Sequence, residues 1–514
     1  MDTSTLPEQS FGLIADFVKQ HALERPAHPA VIAGDRALDY GSFDRLADRA
    51  AAALQRDGVA KGGAVAICAA ASIEYAVSFI GALRAGVAVA PLAPSSTPES
   101  MVAMTHDAGA RILFLDAASA AELAPLMPGI GARVVRFDDG DAWNAWLAPA
   151  EAVPAPVVIE PALPFNIIYS SGTTGTPKGI VQSHGMRWAH VQRGTLVGYG
   201  PRAVTLLATP LYSNTTLVSF FPTLTLGGTV VLMPKFDARG YLELAQRHRA
   251  THTMLVPVQY QRLMALPEFD SYDLSAFIMK FCTSAPFAAN LKADIVRRWP
   301  GGLTEYYGMT EGGGTLVLAA HDHPHKLHTV GQPGPGSDIR LIDDAGQEVA
   351  VGEMGEVVGH SPAMMNAYHK RPAKTAEAEW FDRDGKRFIR TGDVGRFDED
   401  GFLTLFDRKK DMIISGGFNI YPSDLEAVLR QHPAVFDVAV VGVPSERWGE
   451  TPVAFVVLRE GSDETADGVM QWANARLGKT QRLAAVELSD HLPRSAIGKV
   501  LKRELRDAFG KRLA

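Results

Sequence analysis

The residues whose chemistry is easiest to interpret lie in one short loop, Tyr169–Gly179, which reads Tyr-Ser-Ser-Gly-Thr-Thr-Gly-Thr-Pro-Lys-Gly. Glycine accepts positive φ and lets the backbone approach a ligand closely. Consecutive N–H groups in such a turn can form an anion-binding concavity. The hydroxyls add hydrogen-bond donors, and Lys178 adds a compact positive charge. With the apolar run Phe165–Ile168 before it, this composition predicts a phosphate-binding loop rather than an ordinary surface turn.

The loop differs from the phosphate loop of the common nucleoside triphosphatases. That motif needs a Gly-Lys-Ser/Thr sequence that opens a helix. Here Pro177 precedes the lysine and Gly179 follows it, so no helix is expected to start at this point.

A second motif, Tyr306–Glu311, combines groups suited to a magnesium nucleotide. Aromatic side chains beside a glycine can form a wall against a flat base. Thr310 offers a hydroxyl to a phosphate oxygen, and Glu311 offers a hard oxygen ligand of the kind that Mg²⁺ prefers. The motif therefore predicts contacts with both the base and the metal-bound phosphates.

These motifs resemble those of the adenylate-forming (ANL) superfamily, which includes acyl- and aryl-CoA synthetases, adenylation domains of peptide synthetases and beetle luciferases. Fatty-acid–CoA and 4-coumarate–CoA ligases are the nearest types. Similar motifs recur as far as Lys499, so the resemblance covers nearly the whole chain. It implies that ATP, Mg²⁺ and coenzyme A are used.

The resemblance implies a nucleotide site composed of the phosphate loop, an adenine-side wall, the aromatic motif, an aspartate for the ribose hydroxyls and an arginine before the hinge. These residues are Ser170, Ser171, Gly172, Thr173, Thr174, Gly175, Lys178, Ser284, Ala285, Pro286, Tyr306, Tyr307, Gly308, Asp393 and Arg408. It also assigns Gly416 and Gly417 to the pantetheine tunnel, and Trp448 to the neighbourhood of CoA.

Three residues are implied to act in catalysis: Lys499, Thr310 and Glu311. In the family, the lysine at the position of Lys499 bridges the carboxylate and the α-phosphate as negative charge develops. Lys410 falls at the pivot about which the small domain rotates. Asp407 stands where the family usually has glycine, and this departure is not expected to disable the enzyme.

The acyl pocket is the part that the sequence predicts least well. Ser213 stands where the family usually has an aromatic or histidine gate, and no nearby aspartate is present to hold a substrate amine. The glycines at 312–314 suggest a roomy pocket, which favours an aromatic or a medium-to-long aliphatic acid over acetate. A role in the apolar core is equally open for the aromatic and methionine candidates. The predicted lining residues are Tyr212, Ser213, Met254, Tyr260, Met309 and Gly313.

The elements that position these motifs predict an α/β protein. Strands such as Ala64–Cys68 alternate with helices such as Ile73–Arg84, which is typical of mostly parallel sheets. We expect a large N-terminal domain (1–408) of two α/β subdomains and a β-rich subdomain, a hinge (409–410), and a small mobile α+β C-terminal domain (411–514).

Composition limits the classes of partner. The formal net charge of -7 gives no electrostatic case for nucleic acid. With two distant cysteines, no signal peptide and no integral membrane segment, a cytoplasmic location is expected. His321, His323, His325 and His328 lie close in sequence, but a solvated loop is favoured over a metal site. Whether the protein forms a homodimer stays an open question.

The predicted activity is ATP-dependent ligation of a carboxylic acid to CoA through an acyl-adenylate, with release of AMP and pyrophosphate. Three alternatives stay open: a stand-alone enzyme that loads a carrier protein, a luciferase-like oxygenase, and a nucleotide-binding sensor without catalysis. Lys178, Glu311, Asp393 and Lys499 are all present, which argues against the sensor.

Overall fold

The structure, a computed structural model, describes residues 9–138, 140–170, 178–408, 411–415, 418–478, 481–495 and 499–513. The chain divides into two compact units. The first consists of Met1–Ile339 and Gly359–Ile389, and the second of Arg340–Val358 and Arg390–Ala514. Within the described residues, no helix combines the length and apolar character needed to cross a membrane.

Helices and strands alternate through most of the chain, as expected. The helices are α1 (Ile14–Glu24), α2 (Tyr40–Arg56), α3 (Ile73–Arg84), α4 (Pro98–Ala108), α5 (Ala117–Leu123), α6 (Gly140–Trp146), α7 (His184–Thr195), α8 (Asn214–Thr225), α9 (Ala238–Arg247), α10 (Pro257–Met264), α11 (Ala289–Arg298), α12 (Pro372–Glu377), α13 (Pro422–Leu429), α14 (Ala466–Asn474) and α15 (Lys502–Leu513). Short 3₁₀ segments occur at Ala124–Gly129 and Phe269–Ser271.

The strands of the described residues form four sheets. They are β1 (Pro29–Ala33), β2 (Arg36–Asp39), β3 (Ala64–Cys68), β4 (Ala88–Pro91), β5 (Ala110–Leu115), β6 (Arg133–Arg136), β7 (Pro164–Ser170), β8 (Lys178–Ser183), β9 (Val204–Leu207), β10 (Thr229–Leu232), β11 (His252–Leu255), β12 (Met279–Cys282), β13 (Gly302–Tyr307), β14 (Leu316–Ala319), β15 (Gln332–Pro333), β16 (Asp338–Ile342), β17 (Gly355–His360), β18 (Ala367–Tyr368), β19 (Glu379–Phe381), β20 (Arg387–Phe397), β21 (Leu403–Arg408), β22 (Ile413–Ser415), β23 (Phe418–Ile420), β24 (Val435–Ser445), β25 (Gly449–Leu458) and β26 (Ala485–Leu488).

The first unit contains two large, mainly parallel sheets. One has the order β18-β8-β7-β4-β3-β5-β6, and the other has the order β15-β14-β13-β12-β11-β9-β10-β1-β2. Strands β3, β4, β5, β6 and β7 run parallel, while β8 returns antiparallel to β7. Because parallel strands are covered on both faces, they read as continuous apolar runs, and all five residues of β3 are buried.

One hydrophobic cluster joins the two sheets of the first unit. It includes Phe165 from β7, Trp188 from α7, Phe221 from α8 and Phe281 from β12. Helices α7 and α8 therefore lie at the centre of the apolar core, and they carry fully buried polar side chains, among them Arg187, Thr216 and Thr223.

The remaining strands form two five-stranded sheets. The first has the order β16-β17-β20-β19, with β21 paired to β20. The second has the order β23-β22-β25-β24, with β26 paired to β25, and α13 and α14 contribute to its core through Leu425, Leu429 and Val469. The predicted α/β class, with a β-rich part and a small α+β part, is confirmed. The predicted hinge, Lys410 included, lies outside the described residues, so the boundary near residue 408 stays a prediction.

Candidate active site

The phosphate-type loop connects the two strands of an antiparallel hairpin. Strands β7 and β8 pair in register, so that Ser170 faces Lys178 across the ladder. The side chain of Ser170 is not described, and Ser171, Gly172, Thr173, Thr174 and Gly175 lie outside the described residues. The hairpin brings both ends of the predicted loop to one point, where Lys178 begins β8.

Tyr368 joins Lys178 to Glu311 at this point. Strand β18 pairs antiparallel with β8, and this places the Lys178 ammonium 4.6 Å from the centre of the Tyr368 ring. The Tyr368 hydroxyl donates a hydrogen bond of 2.7 Å to Glu311 Oε1. Burial, together with the Glu311 carboxylate, raises the pKa of Tyr368. The Tyr368 ring therefore contacts the Lys178 cation, and its hydroxyl contacts the Glu311 carboxylate. The sequence motifs did not indicate Tyr368.

The aromatic motif begins at the end of β13 and continues into a loop. Tyr306 stacks on Phe281 with ring centres 5.6 Å apart, whereas Tyr307 is partly exposed and Gly308 is exposed. Because neighbouring residues of a strand point to opposite faces, Tyr307 is on the face away from Tyr306. This placement is compatible with Tyr307 and Gly308 contacting a base.

A buried amide network supports the carbonyl of Thr310. Gln182 Nε2 donates to the Thr310 carbonyl oxygen at 2.6 Å. The Gln182 Oε1 atom accepts from Asn166 Nδ2 at 2.9 Å and from the Arg187 guanidinium. Arg187 Nε also donates to Asn166 Oδ1 at 3.0 Å. Gln182, Asn166 and Arg187 are fully buried. No local sequence pattern indicates them, because Gln182 meets Thr310 across more than a hundred residues of chain.

Arg187 carries its charge without an acidic partner in the described part of the chain. Burial lowers the pKa of Arg187 to about 9, and its Nη1 atom makes no hydrogen bond. Nearby His184 is also buried, and burial lowers the pKa of His184 to about 4. An uncompensated guanidinium in an apolar core is costly, so we infer that it is retained to orient Gln182 and Asn166.

Ser213, at the predicted gate position, has a structural role at the start of α8. Ser213 is buried and caps α8, where its side chain accepts from the Thr215 amide at 3.3 Å. The Thr215 and Ser284 hydroxyls lie 2.6 Å apart, and Ser284 has φ of +84°. This contact joins the start of α8 to the predicted adenine-side wall, Ser284 with Ala285 and Pro286, and Tyr212 directly precedes the cap.

The glycines after Glu311 do not leave the empty volume that the sequence suggested. Gly313 has φ of +97°, and a Cβ built on it would lie 2.8 Å from the Gly359 carbonyl oxygen and 2.8 Å from Ile389 Cβ. Close packing and positive φ therefore account for the glycine. Two other pocket candidates lie in the core: Met254 is buried, and the buried Tyr260 donates its hydroxyl hydrogen to the Phe281 carbonyl at 2.9 Å. Met309 packs on the cluster around Ile180 and Tyr368.

In the second unit, the predicted ribose aspartate lies on β20. Asp393 follows Gly392, which has φ of +72°, and its amide donates to Thr391 Oγ1 at 3.0 Å. The backbone of Asp393 pairs with that of Arg408 on β21, so these two predicted nucleotide contacts are neighbours. The side chain of Arg408 is not described.

The predicted CoA contacts cluster at one end of the last sheet. Trp448 is 48% exposed, and the Arg447 guanidinium lies 4.8 Å from the ring centre. Strand β25 begins directly after Trp448, and its first residue, Gly449, pairs with Ser415. Gly416 and Gly417 themselves lie outside the described residues. The exposed indole is nevertheless close in the sheet to the residue that precedes them.

Lys499 is joined to Ser495 by two hydrogen bonds. Its amide donates to Ser495 Oγ at 3.2 Å, and its carbonyl accepts from the Ser495 amide at 2.8 Å. Helix α15 begins three residues later, and the Lys502 ammonium pairs with Glu426 at 3.0 Å. On the same helix, Arg506 pairs with Asp411 at 2.6 Å. These two ion pairs fix α15, which begins just after Lys499, to Glu426 of α13 and to Asp411.

The candidate metal ligand, Glu311, belongs to no cluster of metal-binding side chains in the part of the chain that the structure describes. Among the described residues, no group of three histidine, cysteine or carboxylate side chains could hold a metal ion. This finding also applies to the histidines at 321–328, where His321 Nδ1 lies 3.0 Å from the Leu303 carbonyl oxygen. Mg²⁺ is commonly bound by one or two carboxylates together with substrate phosphates, and Glu311 fits that pattern.

Together, the hairpin with Lys178, the aromatic motif and Glu311 define a nucleotide-binding α/β enzyme. Residues 18–369 match the AMP-binding enzyme family, and residues 424–499 match the AMP-binding enzyme C-terminal domain. The chain belongs to this family, which confirms the resemblance to adenylate-forming enzymes.

Three relatives illustrate the similarity. The chain is 36% identical over 493 residues to a feruloyl-CoA synthase of Amycolatopsis sp, covering 94% of this chain and 96% of the relative. It is 32% identical over 503 residues to a fatty acid–[acyl-carrier-protein] ligase, ScoC, of Streptomyces coeruleorubidus, covering 95% of each. The structure of ATP-bound MatB from Rhodopseudomonas palustris superposes with a TM-score of 0.88 at 28% identity, covering 97% of this chain and 100% of MatB.

Proposed function

We propose that this chain is an ATP-dependent acid–thiol ligase that activates an aromatic or a medium-to-long-chain carboxylic acid as acyl-adenylate and transfers the acyl group to CoA. The observation that carries the proposal is the arrangement Lys178–Tyr368–Glu311 beside the Thr310 carbonyl. It supplies a cation for phosphate and an oriented carboxylate for a metal at the mouth of the predicted loop. Membership of the AMP-binding enzyme family supports this reading.

In the first half-reaction, a carboxylate oxygen of the acid attacks the α-phosphorus of ATP, and the bond to the β-phosphate oxygen breaks to release pyrophosphate. We assign Lys178 to phosphate charge, Thr310 to an α-phosphate oxygen and Lys499 to the charge that develops during the transfer. Asp393 accepts hydrogen bonds from the ribose hydroxyls, and Tyr307 packs against adenine.

Glu311 fits a magnesium site, because Tyr368 fixes its Oε1 atom and, among the described residues, no hydrogen bond uses its Oε2 atom. Mg²⁺ bound there would neutralise phosphate charge and polarise the phosphoryl oxygens. The role of Tyr368 is to orient the carboxylate, as a hydrogen-bonded partner does for a metal ligand.

In the second half-reaction, the thiol sulfur of CoA attacks the acyl carbon, the thiol proton is lost, and AMP leaves. Splitting the reaction makes chemical sense, because a free carboxylate is a poor acyl donor until AMP is its leaving group. We assign the pivot to Lys410 and the thiol-side contacts to Gly416, Gly417 and Trp448.

Loading of a carrier protein is a second candidate, favoured by the similarity to the acyl-carrier-protein ligase. The test is AMP and pyrophosphate release over aliphatic, benzoic and cinnamic acids, with CoA or with a phosphopantetheinylated carrier protein as thiol. CoA-dependent AMP release supports the ligase, and release with the carrier protein alone supports the second candidate. Oxygen consumption would instead identify the oxygenase. ATP binding without pyrophosphate release would contradict both ligase functions.

A further inference from the structure

Helix α7 carries a row of basic residues that the proposed mechanism does not use directly: Arg187 is buried, and His190 and Arg193 are half-buried. Arg187, His190 and Arg193 are spaced by three residues, and such residues are neighbours on a helix surface. Burial lowers the pKa of each of them. No carboxylate of the described residues pairs with any of the three, and His190 Nδ1 is buried without a hydrogen bond. His190 is therefore neutral near pH 7, and the positive charge of this row is carried by Arg187 and Arg193, neither of which is paired with a carboxylate of the described residues.

Arg193 brings this charge to the aromatic motif. Its Nη1 atom donates to Thr315 Oγ1 at 3.0 Å. The same Thr315 oxygen lies 3.7 Å from the position that a Cβ on Gly308 would occupy. Burial raises the pKa of Tyr306 to about 12, and the Arg193 charge opposes that rise. The guanidinium thus lies next to the Tyr306 side of β13, opposite the face of Tyr307.

A row of stacked rings extends from Tyr306, the aromatic neighbour of Arg193. Tyr306 stacks on Phe281, Phe281 stacks on Tyr199 at 5.9 Å, and Tyr199 stacks on His252 at 4.4 Å. Arg193 lies in the last turn of α7, where the helix dipole favours a cation. That effect does not account for a half-buried guanidinium that donates to Thr315 beside the aromatic motif and has no carboxylate partner among the described residues, so a bound oxygen acceptor is the better explanation.

Resting on the acid–thiol ligase function, we propose that Arg193 is a specificity-determining residue that donates hydrogen bonds to an oxygen substituent at the end of the acid distal to the reacting carboxylate. A ring hydroxyl or a second carboxylate shares this chemistry. The row of stacked rings favours a ring-oxygenated aromatic acid.

The experiment compares two matched pairs of acids with the full-length enzyme, ATP, Mg²⁺ and CoA. The aromatic pair is 4-hydroxycinnamic and cinnamic acid, and the aliphatic pair is adipic and hexanoic acid. The measured quantity is the ratio of kcat/KM between the oxygenated and the plain acid, from AMP formation. The variants are Arg193→Met, Arg193→Lys and Thr315→Val. Arg297→Met is the control, because this arginine is 74% exposed on α11.

We expect the wild-type enzyme to prefer the oxygenated acid in at least one pair. A preference in the aromatic pair indicates that Arg193 binds a ring hydroxyl, and a preference in the aliphatic pair indicates that it binds a second carboxylate. Arg193→Met should lower that ratio at least tenfold, since a site that hydrogen-bonds a substrate oxygen discriminates strongly against its absence. Arg193→Lys should retain part of the preference, and Arg297→Met all of it. If Arg193→Met does not fold, Thr315→Val decides, with a smaller fall expected.

A wild type with no preference in either pair would overturn the proposal. The proposal would also be overturned if kcat/KM in Arg193→Met fell equally for both acids, so that their ratio stayed constant. That outcome indicates a structural role for Arg193. AMP formation from none of the four acids would count against the ligase function itself. If AMP forms but kcat/KM is the same for the oxygenated and the plain acid, the result counts only against the role of Arg193 and not against the ligase function.

Discussion

Arg187→Met tests whether a buried arginine serves the site or the stability of the fold. Burial lowers the pKa of Arg187 to about 9, a fall of about 3.5 that corresponds to about 5 kcal/mol of destabilised charge. Its hydrogen bonds to Asn166 and Gln182 contribute about 1.5–3 kcal/mol each, as bonds from charged donors do. These terms nearly cancel, so we expect the free energy of unfolding to change by less than about 2 kcal/mol.

Activity should respond much more strongly than stability. Without Arg187, the Gln182 side chain loses a donor that fixes its Oε1 atom, and its bond to the Thr310 carbonyl is no longer held in one geometry. A displacement of about 1 Å in a catalytic group can cost about a hundredfold in rate. We expect kcat/KM for ATP to fall between about tenfold and a hundredfold in ATP–pyrophosphate exchange.

Arg84→Met is the matched control. The Arg84 side chain is 9% exposed and pairs with Asp44 at 2.6 Å and with Asp48 at 2.7 Å. Its removal leaves two half-buried carboxylates without their cation, so we expect a loss of about 3 kcal/mol or more in stability. Exchange activity per folded molecule should stay unchanged, because α3 contributes no residue to the predicted site.

The assays are chemical denaturation and ATP–pyrophosphate exchange on the same preparations. The role assigned to Arg187 is refuted if Arg187→Met loses as much stability as Arg84→Met. It is also refuted if Arg187→Met exchanges pyrophosphate at the wild-type rate, since Gln182 would then not depend on the guanidinium.

Four further predictions concern other residues. Lys499→Ala should slow adenylate formation by about 10²–10³ and spare thioester formation from preformed acyl-adenylate; equal losses would contradict the assignment. Lys410→Pro fixes φ near about -65° and should abolish thioester formation while single-turnover pyrophosphate release survives; parallel losses would exclude the pivot. Tyr368→Phe removes the hydrogen bond to Glu311 and should raise the Mg²⁺ concentration for half-maximal adenylation about tenfold; an unchanged Mg²⁺ titration would argue against the role. Burial lowers the pKa of His184 from 6.5 to about 4, so the unfolded chain binds more protons between these values and stability should fall by about 3 kcal/mol as pH drops through them; denaturation of His184→Gln should lack this loss.

Local motifs were sufficient to predict a loop over Tyr169–Gly179 after the apolar run Phe165–Ile168, because glycine and hydroxyl residues replace apolar ones there. They did not predict that β7 continues to Ser170, that β8 begins at Lys178 and that the two strands pair antiparallel. They could not predict that Tyr368 would lie between Lys178 and Glu311. That contact depends on the pairing of β18 with β8, two segments almost two hundred residues apart in the chain. Such long-range register is decided by the packed core and is not encoded in a local pattern.

The glycine run after Glu311 illustrates the opposite error. A missing side chain was interpreted as space for substrate, whereas Gly313 lies against the Gly359 carbonyl and Ile389. Glycine is equally necessary where backbones pack closely at positive φ, and sequence alone does not separate the two reasons. The volume inferred beside Gly313 is already filled, so a larger residue there would disturb packing before it altered substrate choice.

Gln182 gives a physical reason to expect that acid binding and adenylation are coupled. Its Nε2 atom donates to the Thr310 carbonyl at 2.6 Å and lies 3.4 Å from Asn214 Oδ1, at the first residue of α8. The start of α8 follows the predicted gate at Ser213, while Thr310 belongs to the predicted phosphate contacts. One buried amide therefore supports both segments. An acid that displaces the start of α8 would also displace Thr310, and the penalty would fall on the transition state for adenylation more than on ground-state binding.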